Sequence, residues 1–115
     1  MSYEVYLTET FQKCMKILKK KYRLIKDDIA SIIKSLENDP SIGDPIPGWK
    51  KEIWKIRVAS SDIKKGKRAG FRLIYLWKAG EFKIYLLAIY FKGEKKEISK
   101  KEVDRLIKEL NRDLQ

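Results

Sequence analysis

The sequence predicts an α+β fold, in which an N-terminal strand and a helical hairpin pack on a mainly antiparallel four-stranded sheet and a C-terminal helix follows (β-α-α-β-β-β-α). Two patterns lead to this prediction. Apolar residues recur every three or four positions in three segments, as in amphipathic helices, and β-prone runs occupy several others. With 115 residues, the chain has room for one domain, residues 1–115.

The helical hairpin comes early in the chain. Apolar positions from Phe11 to Tyr22, and again from Ile25 to Leu36, have helical spacing. Only a few residues separate the two series, so we predict two antiparallel helices. The strands are predicted at residues 3–8, 52–59, about 69–78 and 82–92.

Strong local signals mark both ends of the β-rich part. All three prolines lie within residues 38–49, which predicts that the second helix ends there and that a turn-rich connection follows. Ser99 and Glu102 match a capping box, and the apolar residues after them have helical spacing. A final helix is therefore predicted after residue 99.

The positive charge of the chain is concentrated in two segments. The formal net charge is +11, of which residues 50–72 contribute +7 and residues 92–101 contribute +3. A field of this sign favours polyanionic partners such as nucleic acid. The sequence shows neither an apolar run of membrane-spanning length nor a signal-peptide pattern, and its single cysteine, Cys14, is expected to be a buried thiol. A cytoplasmic protein is expected.

Strand alternation assigns the basic residues to the two faces of the sheet. In the second predicted strand, Lys55 and Arg57 point away from the apolar residues that suit the core. If the strands are neighbours in the matching register, Arg72 joins them on the open face. In the last strand, Tyr90 and Lys92 share a side, and alternation extends that side to Ile84, Leu86 and Ala88.

This cationic face has two interpretations. Three or four cations without an intervening carboxylate repel one another, and phosphate is the natural anion to lie among them. Alternatively, Lys55 and Arg57 form the solvated side of a half-exposed strand. The same choice applies to the cations of a basic loop and of the segment after the last strand, which either attract RNA by long-range charge or are simply exposed. These are Lys64, Lys65, Lys67, Arg68, Lys95 and Lys96.

The residue types limit the available chemistry. The chain has no histidine, its 16 carboxylates are scattered, and it has no nucleotide-binding motif, so neither a metal nor a cofactor is expected. Metal-independent cleavage of RNA remains possible, with the 2′-hydroxyl attacking the adjacent phosphate. In that case Lys55 would serve as the base, because neighbouring cations disfavour its protonated form, and Arg57 and Arg72 would stabilise the dianionic phosphorane.

Four motifs in a fixed order resemble one protein family. They are a Gly/Pro-rich approach and a K-x-R strand in "GDPIPGWKKEIWKIRV", the strand entry "KKGKRAGFRLIYLW", and the strand end "IYLLAIYFKGEKKEIS". Together they resemble the RelE/HigB-like branch of the RelE/ParE toxin superfamily over roughly residues 38–110. The resemblance implies the toxin of a type II toxin-antitoxin system, an endoribonuclease (mRNA interferase) that cleaves mRNA on the ribosome and is silenced by an antitoxin encoded in an adjacent gene.

The resemblance also implies roles for individual residues. By position, Lys55, Arg57 and Arg72 match the catalytic cations of the family, and Lys92 falls near a basic residue at the end of the last strand. Many relatives of the RelE branch have a tyrosine near the C-terminus, which the tail of this chain lacks. Tyr90 is the candidate to replace it.

Two other functions are compatible with the same sequence. A ParE-like toxin inhibits DNA gyrase by binding it and needs no cluster for phosphate cleavage. A plain RNA-binding module would use the same cations without catalysis and would not arrest growth when expressed.

Overall fold

A computed structural model describes residues 2–63, 70–78, 80–95 and 97–114. Within these residues, the α-helices span Glu9–Lys19 (α1), Ile25–Asn38 (α2) and Lys100–Asp113 (α3). The strands span Glu4–Leu7 (β1), Asp44–Pro45 (β2), Ile53–Ala59 (β3), Gly70–Trp77 (β4) and Lys83–Phe91 (β5). No helix in these segments is long and apolar enough to cross a membrane.

The strands form one sheet in the order β1-β5-β4-β3-β2. β1 runs parallel to β5, and the other pairs are antiparallel. The predicted α+β class and element order are confirmed, but the described sheet has five strands instead of four. The additional strand is β2, which has only two residues and contains Pro45. Because proline cannot donate to the ladder, such a segment is read from sequence as a turn.

Helices cover both faces of the sheet. On one face, α1 and α2 contribute Phe11, Ile29 and Leu36 to a core with β3, β4 and β5. On the other face, α3 contributes Val103 and Leu106 to a second core. On this second face, α3 does not cover the area formed by Lys55 and Arg57 of β3 and Arg72 at the start of β4. Cys14 packs against the first core with partial exposure, so its burial is less complete than expected.

Side-chain caps begin two of the helices. Ser99 and Glu102 form the predicted capping box at the start of α3. Thr8 caps α1 by accepting a hydrogen bond from the N–H of Phe11, and its hydroxyl donates to the carbonyl of Leu86 in β5 at 2.7 Å. The start of α1 is therefore tied directly to the sheet.

The Pro/Gly-rich connection packs tightly against the central strands. The buried hydroxyl of Tyr75 in β4 donates to the carbonyl of Pro40 at 2.6 Å, and burial raises the pKa of Tyr75 to about 12. A Cβ atom on Gly43 would lie 2.6 Å from both this hydroxyl oxygen and the carbonyl oxygen of Lys55. Only glycine fits between them without a shift of the backbone, and β2 is thereby held beside β3.

A β-bulge changes the direction of the side chains in β5. Ile74 and Tyr75 are adjacent in β4, but they pair with Ala88 and Leu86, so that Leu87 is an extra residue. The prediction that Ile84 and Leu86 share a side with Tyr90 is therefore wrong. Ile84 and Leu86 belong to the core with α1 and α2, whereas Tyr90 packs on the side of α3.

Candidate functional site

Two arginines lie directly opposite each other on the uncovered part of the sheet. The register of β3 and β4 pairs Arg57 with Arg72, and the register of β4 and β5 pairs Arg72 with Tyr90. The three residues thus form a row across three strands. Like charges directly opposite in a sheet are destabilising, so the Arg57–Arg72 pair favours the binding of an anion between or above them.

Arg72 is the more constrained of the two arginines. Its side chain is half-buried, whereas that of Arg57 is exposed. The Nε atom of Arg72 is fully buried and makes no hydrogen bond within the described residues. A buried donor without an acceptor is costly, because it has lost its hydration without replacement. The partial burial of its side chain leaves Arg72 fewer directions than the exposed Arg57 has.

Lys55 lies in the next row of the same face. Its partners in register are Ile74 of β4 and Asp44 of β2. Asp44, Lys55, Arg57 and Arg72 all line one open pocket of about 190 Å³. The fold therefore brings the three predicted cations, Lys55, Arg57 and Arg72, to one pocket. The predicted alternation of side chains between the two faces of the sheet holds in β3 and β4.

The expectation that no carboxylate lies among these cations is wrong. Asp44 is exposed and sits across from Lys55 in the register of β2 and β3. It forms none of the ion pairs found in the described segments, and neither do Lys55, Arg57 or Arg72. Asp44 offsets part of the positive field at one edge of the pocket, away from the row that contains Arg72 and Tyr90.

Tyr90 places a phenol beside Arg72. Its side chain is partly buried against the core under α3. Burial is the main reason that the pKa of Tyr90 is raised above its usual value of 10.0; the Arg72 guanidinium lowers it, and Glu102 and Glu97 raise it further. At neutral pH the phenol therefore keeps its proton and can donate a hydrogen bond.

The other predicted site residues are less closely associated with the pocket. Lys92 directly follows β5, and its N–H donates to the carbonyl of Gly70 at 2.9 Å. Lys95 forms an ion pair with Glu102 of α3, and its ammonium lies 5.4 Å from the centre of the Tyr90 ring. The remaining predicted RNA-binding residues lie outside the described residues: Lys64, Lys65, Lys67, Arg68 and Lys96.

Two residues near the site were missed by sequence reasoning. Asp44 lies in the Pro-rich connection, and only the pairing of β2 with β3 brings it to Lys55. Glu102 was recognised as a cap of α3, but alternation in the strands gives no sign that α3 starts beside Tyr90. In the sequence, Asp44 stands out only as an acidic residue directly before the Pro-x-Pro motif.

Solved structures of bacterial toxins share this fold. A mutant of the toxin RelE from E. coli, in the free state, matches with a TM-score of 0.58 and 16% sequence identity, over 84% of this chain and 90% of that one. The toxin-antitoxin complex RelBE2 from Mycobacterium tuberculosis matches with a TM-score of 0.57 and 15% identity, over 79% of this chain and 92% of that one. No protein-family model matches the sequence. The chain therefore has the fold of RelE toxins.

Proposed function

We propose that this protein is the toxin of a type II toxin-antitoxin system and acts as a metal-independent endoribonuclease on mRNA in the cytoplasm. The observation that carries the proposal is the row of Arg57, Arg72 and Tyr90 beside Lys55 on an open face. The row supplies charge for a phosphate together with a proton donor. Its place in a fold shared with RelE toxins supports the assignment to that class.

The proposed reaction is an internal transesterification. The 2′-oxygen of a ribose attacks the adjacent phosphorus while Lys55, as the neutral amine, takes the proton of the hydroxyl. Arg57 and Arg72 stabilise the dianionic phosphorane, since their guanidinium groups keep their charge and match phosphate geometry. The bond from phosphorus to the 5′-oxygen then breaks, and Tyr90 donates its proton to that oxygen. The products are a 2′,3′-cyclic phosphate and a 5′-hydroxyl.

The remaining cations serve binding in this proposal. Lys92 extends the cationic face beyond the end of β5. The basic loop, with Lys64, Lys65, Lys67 and Arg68, and the segment that includes Lys96 attract RNA and ribosome by long-range charge. Loss of any one of these loop charges is expected to weaken binding slightly without stopping the reaction.

Replacement of Arg72 is the direct test of this mechanism. We expect Arg72→Ala to lower the single-turnover cleavage of ribosome-bound mRNA by about 10²–10³-fold, because it removes a fixed charge from the transition state. Circular dichroism checks that the variant folds. Arg23→Ala removes an exposed arginine in the connection between α1 and α2 and serves as the matched control, with unchanged cleavage expected.

Two results would contradict the proposal. One is intact mRNA after incubation with the wild-type protein and ribosomes. The other is full toxicity of a double variant, Lys55→Ala with Arg72→Ala, which would favour a ParE-like inhibitor of DNA gyrase. Expression of the wild type without growth arrest would favour a plain RNA-binding module.

This protein has a groove between α1 and α2 that would suit the proposed antitoxin partner as a docking site. This helix-hairpin groove has a volume of about 580 Å³, an apolar floor that includes Phe11 and Ile29, and a basic rim. The rim is formed by Lys16, Lys19 and Lys26. No carboxylate lines the groove within the described residues. An amphipathic antitoxin helix with acidic flanks would match both features.

Reversal of the rim charges tests this docking site. We expect the triple variant Lys16→Glu, Lys19→Glu and Lys26→Glu to weaken binding of the antitoxin from the adjacent gene by at least about tenfold at low salt, because like charges then face each other. The control is Lys34→Glu, an exposed position of α2 outside the groove. Equal antitoxin affinity for the triple variant and the wild type, measured by calorimetry, would place the interface elsewhere.

A further inference from the structure

An ion pair joins the segment after β5 to the first turn of α3. The ammonium of Lys95 donates to Oε2 of Glu102, and both side chains are about one-third exposed. The contact lowers the pKa of Glu102, chiefly through this hydrogen bond. Most surface ion pairs contribute little, but this one has a partner on each side that limits its movement.

Glu102 is held by its own helix. Its other carboxylate oxygen, Oε1, accepts a hydrogen bond from the hydroxyl of Ser99 at 3.2 Å, and the N–H of Glu102 donates to that hydroxyl at 3.2 Å. The second contact is one half of the capping box of α3, and the other half is the bond from the N–H of Ser99 to Oε1 at 3.5 Å. Both carboxylate oxygens are thus engaged, one by the helix cap and one by Lys95.

Lys95 in turn covers the ring of Tyr90. Its ammonium lies 5.4 Å from the ring centre, within the range of a cation–π interaction. Across the sheet, Arg72 is the register partner of Tyr90. The charged groups that act on this phenol are therefore Arg72 from β4, Lys95, and the carboxylates of Glu97 and Glu102.

We propose that Lys95 and Glu102 are positioning residues, which fix the Tyr90 phenol beside Arg72 through a contact chain from the cap of α3 to the ring. This inference rests on the proposed ribonuclease function, because the phenol is placed there to protonate the leaving 5′-oxygen. It changes the role of Lys95 from contact with RNA to support of the tyrosine. It also makes the first turn of α3 part of the site, although α3 contributes no group to the reaction.

Three variants distinguish a positioning role of Lys95 and Glu102 from a simple effect of charge and from an effect on folding. Lys95→Met keeps an unbranched side chain of similar length but removes the cation. Glu102→Gln keeps the capping box, since glutamine also serves at that position, and removes only the charge that holds Lys95. Lys95→Arg restores a cation that can pair with Glu102 and lie over the ring. The control is Lys13→Met, which breaks the exposed Glu9–Lys13 pair of α1.

The first measurement is RNA cleavage. We expect Lys95→Met and Glu102→Gln each to lower the single-turnover rate by about five- to tenfold, with RNA affinity within about twofold of the wild type, because only the transition-state contact is lost. Lys95→Arg should restore most of the rate, and Lys13→Met should leave it unchanged. A parallel loss of affinity in Lys95→Met would instead make Lys95 a contact residue for RNA and overturn the proposal.

The second measurement does not depend on cleavage. In the free protein labelled with ¹³C at the tyrosine ring, the Tyr90 resonance should shift or broaden in Lys95→Met and in Glu102→Gln, and should remain unchanged in Lys13→Met. If the wild type fails to cleave RNA, the proposed function is wrong, while this experiment still tests the contact chain. An unchanged Tyr90 resonance in both variants would refute the positioning role whatever the activity.

Discussion

Arg57 and Arg72 present their charges side by side at one position of the β3–β4 ladder, and the ion pairs found in the described segments leave both of them out. A sequence selected only for stability would avoid such a pair, because like charges across a ladder cost free energy. The pair should therefore have a measurable cost in stability in the free protein.

The first prediction concerns that cost. Arg57→Gln should raise the free energy of unfolding by about 0.2–1 kcal/mol at low ionic strength, because it removes the repulsion with Arg72. Urea denaturation measures the change. Added salt should reduce the difference, since it screens exposed charges. Arg23→Gln, which removes an arginine far from any like-charged ladder partner, is the control, and a less stable Arg57→Gln variant at low salt would contradict the prediction.

At the scale of single elements, alternation predicted the faces of β3 and β4 and failed in β5. The prediction fails at Leu87, where one extra residue reverses the face to which each following side chain of the strand points. The β5 sequence is apolar on both sides, so no polar residue marks the change of phase. The position of a bulge is decided by packing on both faces at once, and a single strand sequence does not contain that information.

The helices were easier to predict than the strands. The capping box of α3 and the apolar spacing of α1 and α2 are local signals, and they correspond to observed elements within a few residues. Local signals did not show which strand edges and helix ends would lie next to each other in the folded protein. Asp44 approaches Lys55, and Glu102 approaches Tyr90, only through tertiary packing.

The second prediction concerns the N-terminus of α3. The pKa of Glu102 is lowered in the folded protein from its usual value of 4.5, mainly by Lys95. The ionised carboxylate therefore stabilises the fold at neutral pH, and this contribution is lost as pH falls below 4.5 and through the lowered pKa. Glu102→Gln should be less stable than the wild type at pH 7, and the difference should shrink in acid. Urea denaturation across pH 2–7 tests this sign, and a difference that grows in acid would contradict it.

The whole molecule combines a strong positive charge with an uneven distribution of that charge. Of the net +11, residues 50–72 carry +7, and this segment includes β3 and the start of β4. Three of its cations, Lys55, Arg57 and Arg72, line the pocket on the part of the sheet that α3 leaves uncovered. Such a concentration of positive charge produces a field that attracts polyanions.

The third prediction follows from this field. RNA affinity should fall with salt, and Arg72→Ala should make the slope of log K against log salt shallower by about 0.7, the value for one phosphate contact on single-stranded nucleic acid. Filter binding to a short, uncleavable 2′-deoxy RNA analogue measures the slope. Arg23→Ala serves as the control and should retain the wild-type slope. A slope unaffected by Arg72→Ala would mean that Arg72 contacts no phosphate in the bound state.

The short strand β2 has a consequence for how the protein behaves at high concentration. Without β2, the seven residues of β3 would form an open sheet edge able to pair with another copy of the chain. Asp44 and Pro45 occupy the outer edge instead, and proline has no N–H to offer to an incoming strand. Where β2 pairs, at Trp54 and Lys55, the edge of β3 is thus closed to a further strand.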